Sequence, residues 1–299
     1  MVTIFSTPKK FEGDIQVIQT NAITSWTRLK PSCEVILLGN EPGTAEIARK
    51  FNIKHVPLVP TNRSGTPLVN HLFRLAEENA RHQILTYVNA DIILTDDFLS
   101  GLRKVKISRF LLTGRRRSLW LKEYLDFSDA LWQEKLKKQV RKSGYLESAR
   151  AIDYFVFPKG LWKNLPPYTI GRAGYDNGLL YDAYSRNIPV INATRLIWAI
   201  HQNHTYCHHP QGRNGVYYGQ EAEENLSFTG YGLYGLNINN ASFILTEYGL
   251  LPACTFGHLR TVFRIATTRF SYPQFWLNLM RDIGENSSLL KWLEEKEAD

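Results

Sequence analysis

The stretch from Ile84 to Phe98, which reads ILTYVNADIILTDDF, decides the fold that we predict for this chain. Its first five residues, Ile84 to Val88, are rich in β-formers and are bounded by polar residues, as is typical of a buried parallel strand. Asp91 follows that strand, and open α/β sheets bind ligands at the carboxyl ends of their strands. A carboxylate there is suited to hold a divalent metal against a diphosphate; the alternative is that Asp91 only caps a turn.

The chain before this stretch alternates between strand and helix. Strands are predicted at residues 2–5, 34–38 and 56–59, and helices at residues 15–26, 44–51 and 68–80. Together with the strand at 84–88, this makes four strand–helix alternations within about the first 95 residues. Such alternation predicts an α/β fold, with a Rossmann-like, mostly parallel sheet flanked by crossover helices.

The second half of the chain is predicted to be less regular. Strands are expected at 109–113, 151–158, 190–193 and 196–200, and helices at 97–105, at 121–140 and from the loop at 168–178 through Tyr184. Residues 211–240 are rich in glycine, asparagine and tyrosine and are expected to be loop, whereas two weakly amphipathic helical segments lie within 256–283. We therefore predict one domain over residues 1–240 and a C-terminal helical extension packed on it over residues 241–299.

The composition and net charge of the chain favour some classes of binding partner over others. The 299 residues are 43% hydrophobic and 21% charged, which is ordinary for a globular protein, and the net charge of +8 favours acidic partners. A nucleotide or phosphorylated substrate fits this charge, as would an anionic membrane surface, but no recognised nucleic-acid module accompanies it. Three widely spaced cysteines and no recognisable signal peptide predict a cytoplasmic protein.

Two nucleotide-binding motifs are absent. The first strand is not followed by G-x-G-x-x-G, and the chain contains no G-x-x-x-x-G-K-[ST]. These absences argue against a dinucleotide-dependent dehydrogenase and against a P-loop enzyme. Thr7 and Pro8 stand at the end of the first strand instead.

A histidine cluster follows the last predicted strand of the sheet. Four of the eight histidines of the chain lie within nine positions, at His201, His204, His208 and His209. Imidazole is the commonest metal ligand in proteins, so His201 and His204, or His204 and His208, are candidate ligands of one metal. Because His201 to His204 directly follow a predicted strand, these residues are expected in the crevice of Asp91. The spacing matches no H-E-x-x-H motif, and the alternatives are hydrogen-bonding loop residues or a ring stacked on a ligand.

The loop from Gly171 to Asn177, GRAGYDN, is a second candidate site. Its glycines allow close backbone approach to a ligand, and Asp176 stands at a helix start, where the helix dipole favours the ionised form. An accessible, ionised carboxylate is able to deprotonate an acceptor hydroxyl, whereas the alternative role is a helix N-cap. Arg172, or the arginines from Arg115 to Arg117, would contact phosphates, unless they form a solvated basic loop.

Taken together, these motifs resemble those of GT-A glycosyltransferases. The resemblance covers residues 1–210 and rests on the four alternations, on YVNADIIL at a strand end, on Asp176-Asn177 at a helix start and on a late histidine. It is nearest to the large inverting family 2 of the nucleotide-diphospho-sugar transferase superfamily. The Q-x-x-R-W motif of processive synthases is missing, so a long polymer product is not expected.

The resemblance implies a sugar-nucleotide donor, a hydroxyl acceptor and Mn²⁺ or Mg²⁺ as cofactor. Asp91 matches the metal-binding end of a D-x-D motif, and Asn89 stands where its first aspartate is usual. Asp176 matches the catalytic base, and His201 or His204 would complete the metal site. The expected donor site contains Thr7, Pro8, Asn89, Arg115 and Arg172.

Two other functions and one further contact stay open at this point. A non-catalytic nucleotide-sugar-binding protein would keep the same fold, and a metal hydrolase would use the histidine cluster. The C-terminal segments carry aromatic and basic residues that suit peripheral contact with the inner face of a membrane, with packing on the sheet as the alternative. No specific protein partner is predicted.

Overall fold

A computed structural model describes residues 1–205, 212–229, 236–253 and 258. The strands in these residues are β1 Val2–Ser6, β2 Glu34–Leu38, β3 Lys54–Val56, β4 Ile84–Val88, β5 Ile92–Ile93, β6 Leu111–Thr113, β7 Arg116–Leu119, β8 Tyr145–Leu146, β9 Tyr154–Pro158, β10 Val190–Asn192, β11 Ala199–Gln202, β12 Phe243–Thr246 and β13 Gly249–Pro252. The helices are α1 Gly13–Thr27, α2 Thr44–Phe51, α3 Val69–Asn79, α4 Asp97–Leu102, α5 Trp132–Ser143, α6 Tyr175–Ser185, α7 Gly212–Tyr218 and α8 Gln220–Ser227. Among the helices of this part of the chain, none has the length and apolar character that crossing a bilayer requires.

The central sheet confirms the predicted α/β fold. Its nine strands run in the order β13-β12-β10-β6-β9-β4-β1-β2-β3, and β1 pairs in parallel with both β2 and β4. Strand β9 is antiparallel to β4 and β6. Side chains of the strands alternate between two cores, because Phe5 and Ile36 pack with α3, whereas Ile4 and Val35 pack with α1. Helices therefore cover both faces, and the carboxyl ends of β1, β2 and β4 share one edge.

A second, four-stranded sheet lies beside that edge in the order β5-β11-β7-β8. Three residues separate the end of β4 from the start of β5, and β5 pairs in antiparallel fashion with β11, which sets His201 opposite Ile92. Strand β11 also pairs in parallel with β7, which sets His201 beside Ser118. The indole Nε1 of Trp26 donates to the carbonyl oxygen of Ile92 at 2.9 Å and ties this sheet to α1.

The structure differs from the sequence-based expectation in several segments. Arg116 and Arg117, for which a basic loop is one alternative, belong to β7, because pairing with β11 and β8 outweighs the weak β propensity of arginine. The helix expected over 121–140 begins only at Trp132, since the carboxylates of Asp126 and Asp129 accept backbone hydrogen bonds in turns before it. The expected loop at 211–240 contains α7 and α8, which pack against each other.

The predicted C-terminal extension is described only at its beginning. The described residues just after position 240 contain β12 and β13, which continue the central sheet. The helical segments expected within 256–283 lie outside the described residues, apart from His258. The domain boundary at residue 240 stays a prediction.

Replacing Gln202 by alanine is expected to destabilise the protein. Its fully buried side chain donates from Nε2 to the carbonyl oxygens of Ile18 and Asp91 and accepts at Oε1 from Asn21. Its loss removes three buried hydrogen bonds, at a cost of about 2–4 kcal/mol in the free energy of unfolding. Urea unfolding measures this change, and Glu78→Gln in an exposed ion pair is the control. A change below about 1 kcal/mol would contradict this role of Gln202.

Candidate metal centre

Three side chains predicted as metal ligands lie together at the carboxyl end of β4. Asp91 Oδ2 is 3.2 Å from Nε2 of His204 and 3.5 Å from Nε2 of His201. One ligand atom from each residue lies within 4.8 Å of the other two, and the imidazole rings are 5.6 Å apart between centroids. The turn after β4 supplies the carboxylate, β11 supplies His201, and the segment after β11 supplies His204. His208 and His209 of the same cluster lie outside the described residues.

The hydrogen bonds of His204 direct its ring nitrogen Nε2 towards the carboxylate of Asp91. Its Nδ1 lies 2.8 Å from the carbonyl oxygen of Thr205, which only accepts, so Nδ1 carries the ring hydrogen. In the neutral ring, Nε2 then presents a lone pair to Asp91 Oδ2, which also presents lone pairs. Such a contact needs a shared proton or a metal ion, and the second oxygen, Oδ1, is buried without a hydrogen-bond partner among the described residues. The donor set therefore fits a metal.

Electrostatics favour the charged form of the carboxylate. Burial alone would raise the pKa of Asp91, but the charges and hydrogen bonds of His201 and His204 hold this pKa well below its usual value. Burial would also lower the pKa of His204, and the hydrogen bond and charge of Asp91 outweigh it and raise that pKa. Nδ1 of His201 faces Asn203 Oδ1 at 3.2 Å, which leaves its Nε2 directed towards the carboxylate. A hydrogen bond at the ring nitrogen that does not face the metal, such as the one between His201 and Asn203, orients a metal-binding imidazole.

The ends of β1 and β2 form the side of the crevice predicted to bind the donor. Thr7 Oγ1 lies next to Gly39, whose φ of +99° keeps the loop after β2 close to Thr7. His55 Nε2 contacts the Gly39 carbonyl oxygen at 2.8 Å, and Pro8 is buried beside them. Thr7 and Pro8 thus stand where the resemblance implies nucleotide binding, and their roles stay predictions.

Asn89 and Arg115 have protein partners in the structure. The Asn89 amide nitrogen donates to Asp153 Oδ1 at 2.6 Å, and its oxygen accepts from the Tyr175 hydroxyl at 3.2 Å. Arg115 donates from Nε to the carbonyl oxygen of Glu147 at 2.6 Å. A role of either side chain in binding the donor stays a prediction.

The three arginines do not form one clamp. Strand β7 directs Arg116 towards Asp153, with Nη1 2.8 Å from Oδ2, whereas Arg117 lies over the indole of Trp198 at 4.4 Å. Neighbours in a strand point to opposite faces, so Arg116 faces the crevice and Arg117 faces away from it. Arg172 pairs with Glu221 of α8 at 2.6 Å and stays a predicted phosphate contact.

Asp176 lies in the first turn of α6 and is part-buried. Burial raises the pKa of this carboxyl to about 7, and the charge of Asp153 adds to the rise, while the hydrogen bond from the Asn177 backbone and the charge of Arg116 oppose it. The expectation that the helix start keeps Asp176 accessible and ionised is therefore corrected, because desolvation outweighs the helix dipole. A pKa near neutrality suits a carboxylate that accepts a proton at physiological pH.

Several residues of the crevice are missed by the sequence analysis. Lys9 lies within electrostatic range of Asp91, His204 and Arg172, and its position just after Pro8 at a strand end is a signal in the sequence. Tyr175 precedes Asp176 directly and its hydroxyl reaches Asn89. Nothing in the sequence points to Arg116 rather than to its neighbours, because the choice among them depends on which face of β7 meets the crevice.

Comparisons with known proteins identify the fold. No protein-family model matches the chain, and no curated protein matches its sequence. The solved structure of residues 1–349 of TarS from S. aureus matches 99% of this chain and 78% of that chain, with a TM-score of 0.50 and 12% sequence identity. In complex with UDP-GlcNAc, TarS matches with a TM-score of 0.33 and 15% identity, over 40% of this chain and 35% of that chain.

Two other structures match with lower TM-scores. Glucosyl-3-phosphoglycerate synthase from Mycobacterium tuberculosis, in complex with Mn²⁺, UDP and phosphoglyceric acid, has a TM-score of 0.46 and 16% identity, with 79% of each chain covered. The mannosyltransferase PcManGT from Pyrobaculum calidifontis, in complex with GDP-Man and Mn²⁺, has a TM-score of 0.41 and 15% identity, over 67% of this chain and 56% of that chain. At these identities a likeness shows the fold, and the chain has a GT-A-like fold, as the sequence predicts.

Mn²⁺ is expected to stabilise the folded protein through His204. A metal that binds only the folded state adds about 2.7 kcal/mol at a concentration of one hundred times its dissociation constant. Mg²⁺ should raise the unfolding temperature less than Mn²⁺ does at equal concentration, since it prefers oxygen ligands to imidazole. Thermal unfolding with each ion measures both effects, and His204→Ala should remove most of the Mn²⁺ shift. His82→Ala, outside the triad, is the matched control, and an undiminished shift in His204→Ala would exclude this ligand.

Asp176→Asn is expected to change how stability depends on pH. The pKa of Asp176 is about 7 in the folded protein and near 3.8 when exposed, so folding binds a proton between these values. The contribution of Asp176 to stability therefore falls as pH rises from about 4 to about 7, whereas asparagine does not titrate. Relative to the wild type, the variant should gain more than about 1 kcal/mol between pH 5 and pH 8 in urea unfolding without metal. Exposed Asp126→Asn should show no gain, and an equally flat Asp176→Asn difference would contradict the raised pKa.

Proposed function

We propose that this protein is an inverting glycosyltransferase, which moves a sugar from a nucleotide-sugar donor to a hydroxyl acceptor with the help of a divalent metal. The observation that carries this proposal is the convergence of Asp91, His201 and His204 at the carboxyl end of β4. In open α/β sheets this edge binds ligands, and the GT-A-like fold supports a nucleotide sugar as that ligand.

The crevice offers two regions for the donor. Thr7, Gly39 and His55 gather at the ends of β1 to β3 and offer hydroxyl, backbone and imidazole groups to a base and ribose. Lys9 lies within electrostatic range of Asp91, and Arg172 lies within electrostatic range of Lys9, so both would contribute positive charge to a bound diphosphate. The net charge of +8 agrees with an anionic donor.

Asp91, His201 and His204 would hold Mn²⁺ or Mg²⁺ through one carboxylate oxygen and two imidazole nitrogens. When bound, such an ion neutralises charge that develops on a leaving diphosphate. Lys9 would stabilise the same charge, and the burial of His201 together with the partial burial of Asp91 limits the contact of water with this side of the crevice.

Asp176 would act as the general base on the acceptor side. Its carboxylate takes the proton of the acceptor hydroxyl while the oxygen attacks the anomeric carbon from the face opposite the diphosphate, so the configuration inverts. The raised pKa lets the carboxylate hold that proton near neutral pH. Tyr175, the preceding residue, connects this helix start to the turn after β4.

A metal hydrolase is the second candidate, because two histidines and one carboxylate also form catalytic metal sites with open positions. A non-catalytic nucleotide-sugar-binding protein would keep the same contacts without turnover. Cytoplasmic location and peripheral contact with the inner face of a membrane stay predictions from the sequence.

Incubation with a panel of UDP- and GDP-sugars and Mn²⁺, with and without hydroxyl acceptors, tests the proposed function. The wild type should release nucleoside diphosphate, and more rapidly with the correct acceptor. Asp91→Ala should lose turnover and metal-dependent nucleotide binding, because its carboxylate joins the metal to the protein. Asp176→Asn should keep nucleotide binding and lose turnover by at least about a hundredfold, as expected for removal of a general base.

The outcomes separate the three candidate functions. Normal turnover in Asp176→Asn would rule out the base assignment, and nucleotide binding without turnover in the wild type would favour the binding protein. A metal-dependent hydrolysis that needs no nucleotide would favour the hydrolase. Exposed Asp126→Asn is the control for removal of a carboxylate.

A further inference from the structure

We propose that Asn89 is a positioning residue rather than a metal ligand, and that its amide joins the metal centre to the start of the helix that carries Asp176. The inference rests on the proposed function, since it concerns the same crevice. It also explains why an amide stands at position 89, where the resemblance leads one to expect a carboxylate.

The contacts of Asn89 use both ends of its amide. Nδ2 donates to Asp153 Oδ1 at 2.6 Å, and the backbone nitrogen of Asn89 donates to the Asp153 carbonyl oxygen at 2.9 Å. Oδ1 accepts from the hydroxyl of Tyr175 at 3.2 Å. Asp153 and Tyr175 are buried, with 7% and 5% of their surfaces exposed, so these bonds are shielded from water.

Asn89, Asp153 and Tyr175 form a hydrogen-bonded unit, and Arg116 of the second sheet is its fourth member. Its Nη1 donates to Asp153 Oδ2 at 2.8 Å, which leaves the other oxygen of that carboxylate for the Asn89 amide. On its far side, Arg116 lies 3.8 Å from Glu147, whose carboxylate accepts from Ser118 at 2.8 Å. Ser118 is the strand neighbour of His201, so the ion pair of Arg116 and Asp153 connects the β4 turn to the strand that carries the first histidine.

An aspartate at position 89 would disrupt this unit. Its carboxylate would meet the carboxylate of Asp153 at about the present 2.6 Å, and neither is a donor when ionised. Like charges at such a distance in a buried site repel strongly, and one guanidinium would have to balance both. An amide is the isosteric group that donates to Asp153 and accepts from Tyr175 at once.

The positions of Asn89 and Tyr175 in the chain explain how the unit links the metal-binding turn to the start of α6. Asn89 lies two residues before Asp91, and Tyr175 lies one residue before Asp176. A single side chain thus fixes the distance between the turn that supplies the metal carboxylate and the helix start that supplies the base. The second and third ligands then come from β11 and the residues after it, and no second carboxylate is needed from the β4 turn.

Exchanging the amide of Asn89 with the carboxylate of Asp153 tests the proposal. In Asn89→Asp, the thermal unfolding midpoint without metal should fall, and the dissociation constant for Mn²⁺ alone, from calorimetry, should be no lower than in the wild type. Adding Asp153→Asn restores one amide and one carboxylate in exchanged places. The double variant N89D/D153N should therefore recover at least half of the fall in the thermal unfolding midpoint that N89D causes. Asp153→Asn alone completes the cycle, and exposed Glu78→Gln is the control.

Tyr175→Phe, which removes one hydroxyl, keeps the test decisive if N89D does not fold. It should lower kcat about tenfold and leave the Mn²⁺ dissociation constant within about twofold, because the base moves while the ligands stay. A wild-type kcat in this variant would overturn the proposal. So would tighter Mn²⁺ binding by N89D at an unchanged unfolding midpoint, because residue 89 would then face the metal.

The metal and stability measurements need no turnover. A wild type that transfers no sugar would therefore refute the proposed function and leave the role of Asn89 to be decided by the exchange experiment. Conversely, normal sugar transfer together with tighter metal binding by N89D would refute only the positioning role.

Discussion

The antiparallel pairing of β5 with β11 is the constraint on which the metal centre depends. Strand β5 is only two residues long, yet its pairing sets His201 opposite Ile92, one residue from Asp91. Parallel pairing of β11 with β7 holds the other side of the same histidine strand. Trp26 of α1 donates a buried hydrogen bond to Ile92 of β5, and Gln202 of β11 donates to Ile18 of α1 and to Asp91 just before β5, so the short strand is held by the body of the domain.

Charge balance is the second feature of the crevice. Asp91, Asp153 and Asp176 bring three carboxylates into one partly buried region, and Arg116 pairs with only one of them directly. Asp91 is balanced by two histidines, whereas at Asp176 burial and the charge of Asp153 outweigh the charge of Arg116 and raise the pKa to about 7. The surroundings of the two carboxylates thus agree with the different roles that we propose for them, Asp91 in binding a cation and Asp176 in taking up a proton.

The regular elements of the first half were predictable from local patterns. Helix α2 and strands β2 and β4 have the predicted bounds, because buried strands and amphipathic helices are set by residues close in sequence. Strand β7 was not predictable, since Arg116 and Arg117 have low β propensity and are held by their neighbours in the sheet. Helices α7 and α8 were missed as well: the buried Asn225 of α8 hydrogen-bonds the backbone of Thr169, a contact between segments far apart in the chain.

The sequence by itself determined the α/β class, the ligand-binding edge at Asp91 and the candidate roles of Asp176, His201 and His204. Each of these depends on periodicity or on a residue at the end of a strand or helix, which are local properties. Only the tertiary structure decided that both imidazoles meet the carboxylate of Asp91, that Arg116 rather than Arg117 faces the crevice, and that Asn89 binds Asp153 and Tyr175. These outcomes depend on strand pairing and on desolvation, which bring together residues between 37 and more than one hundred positions apart.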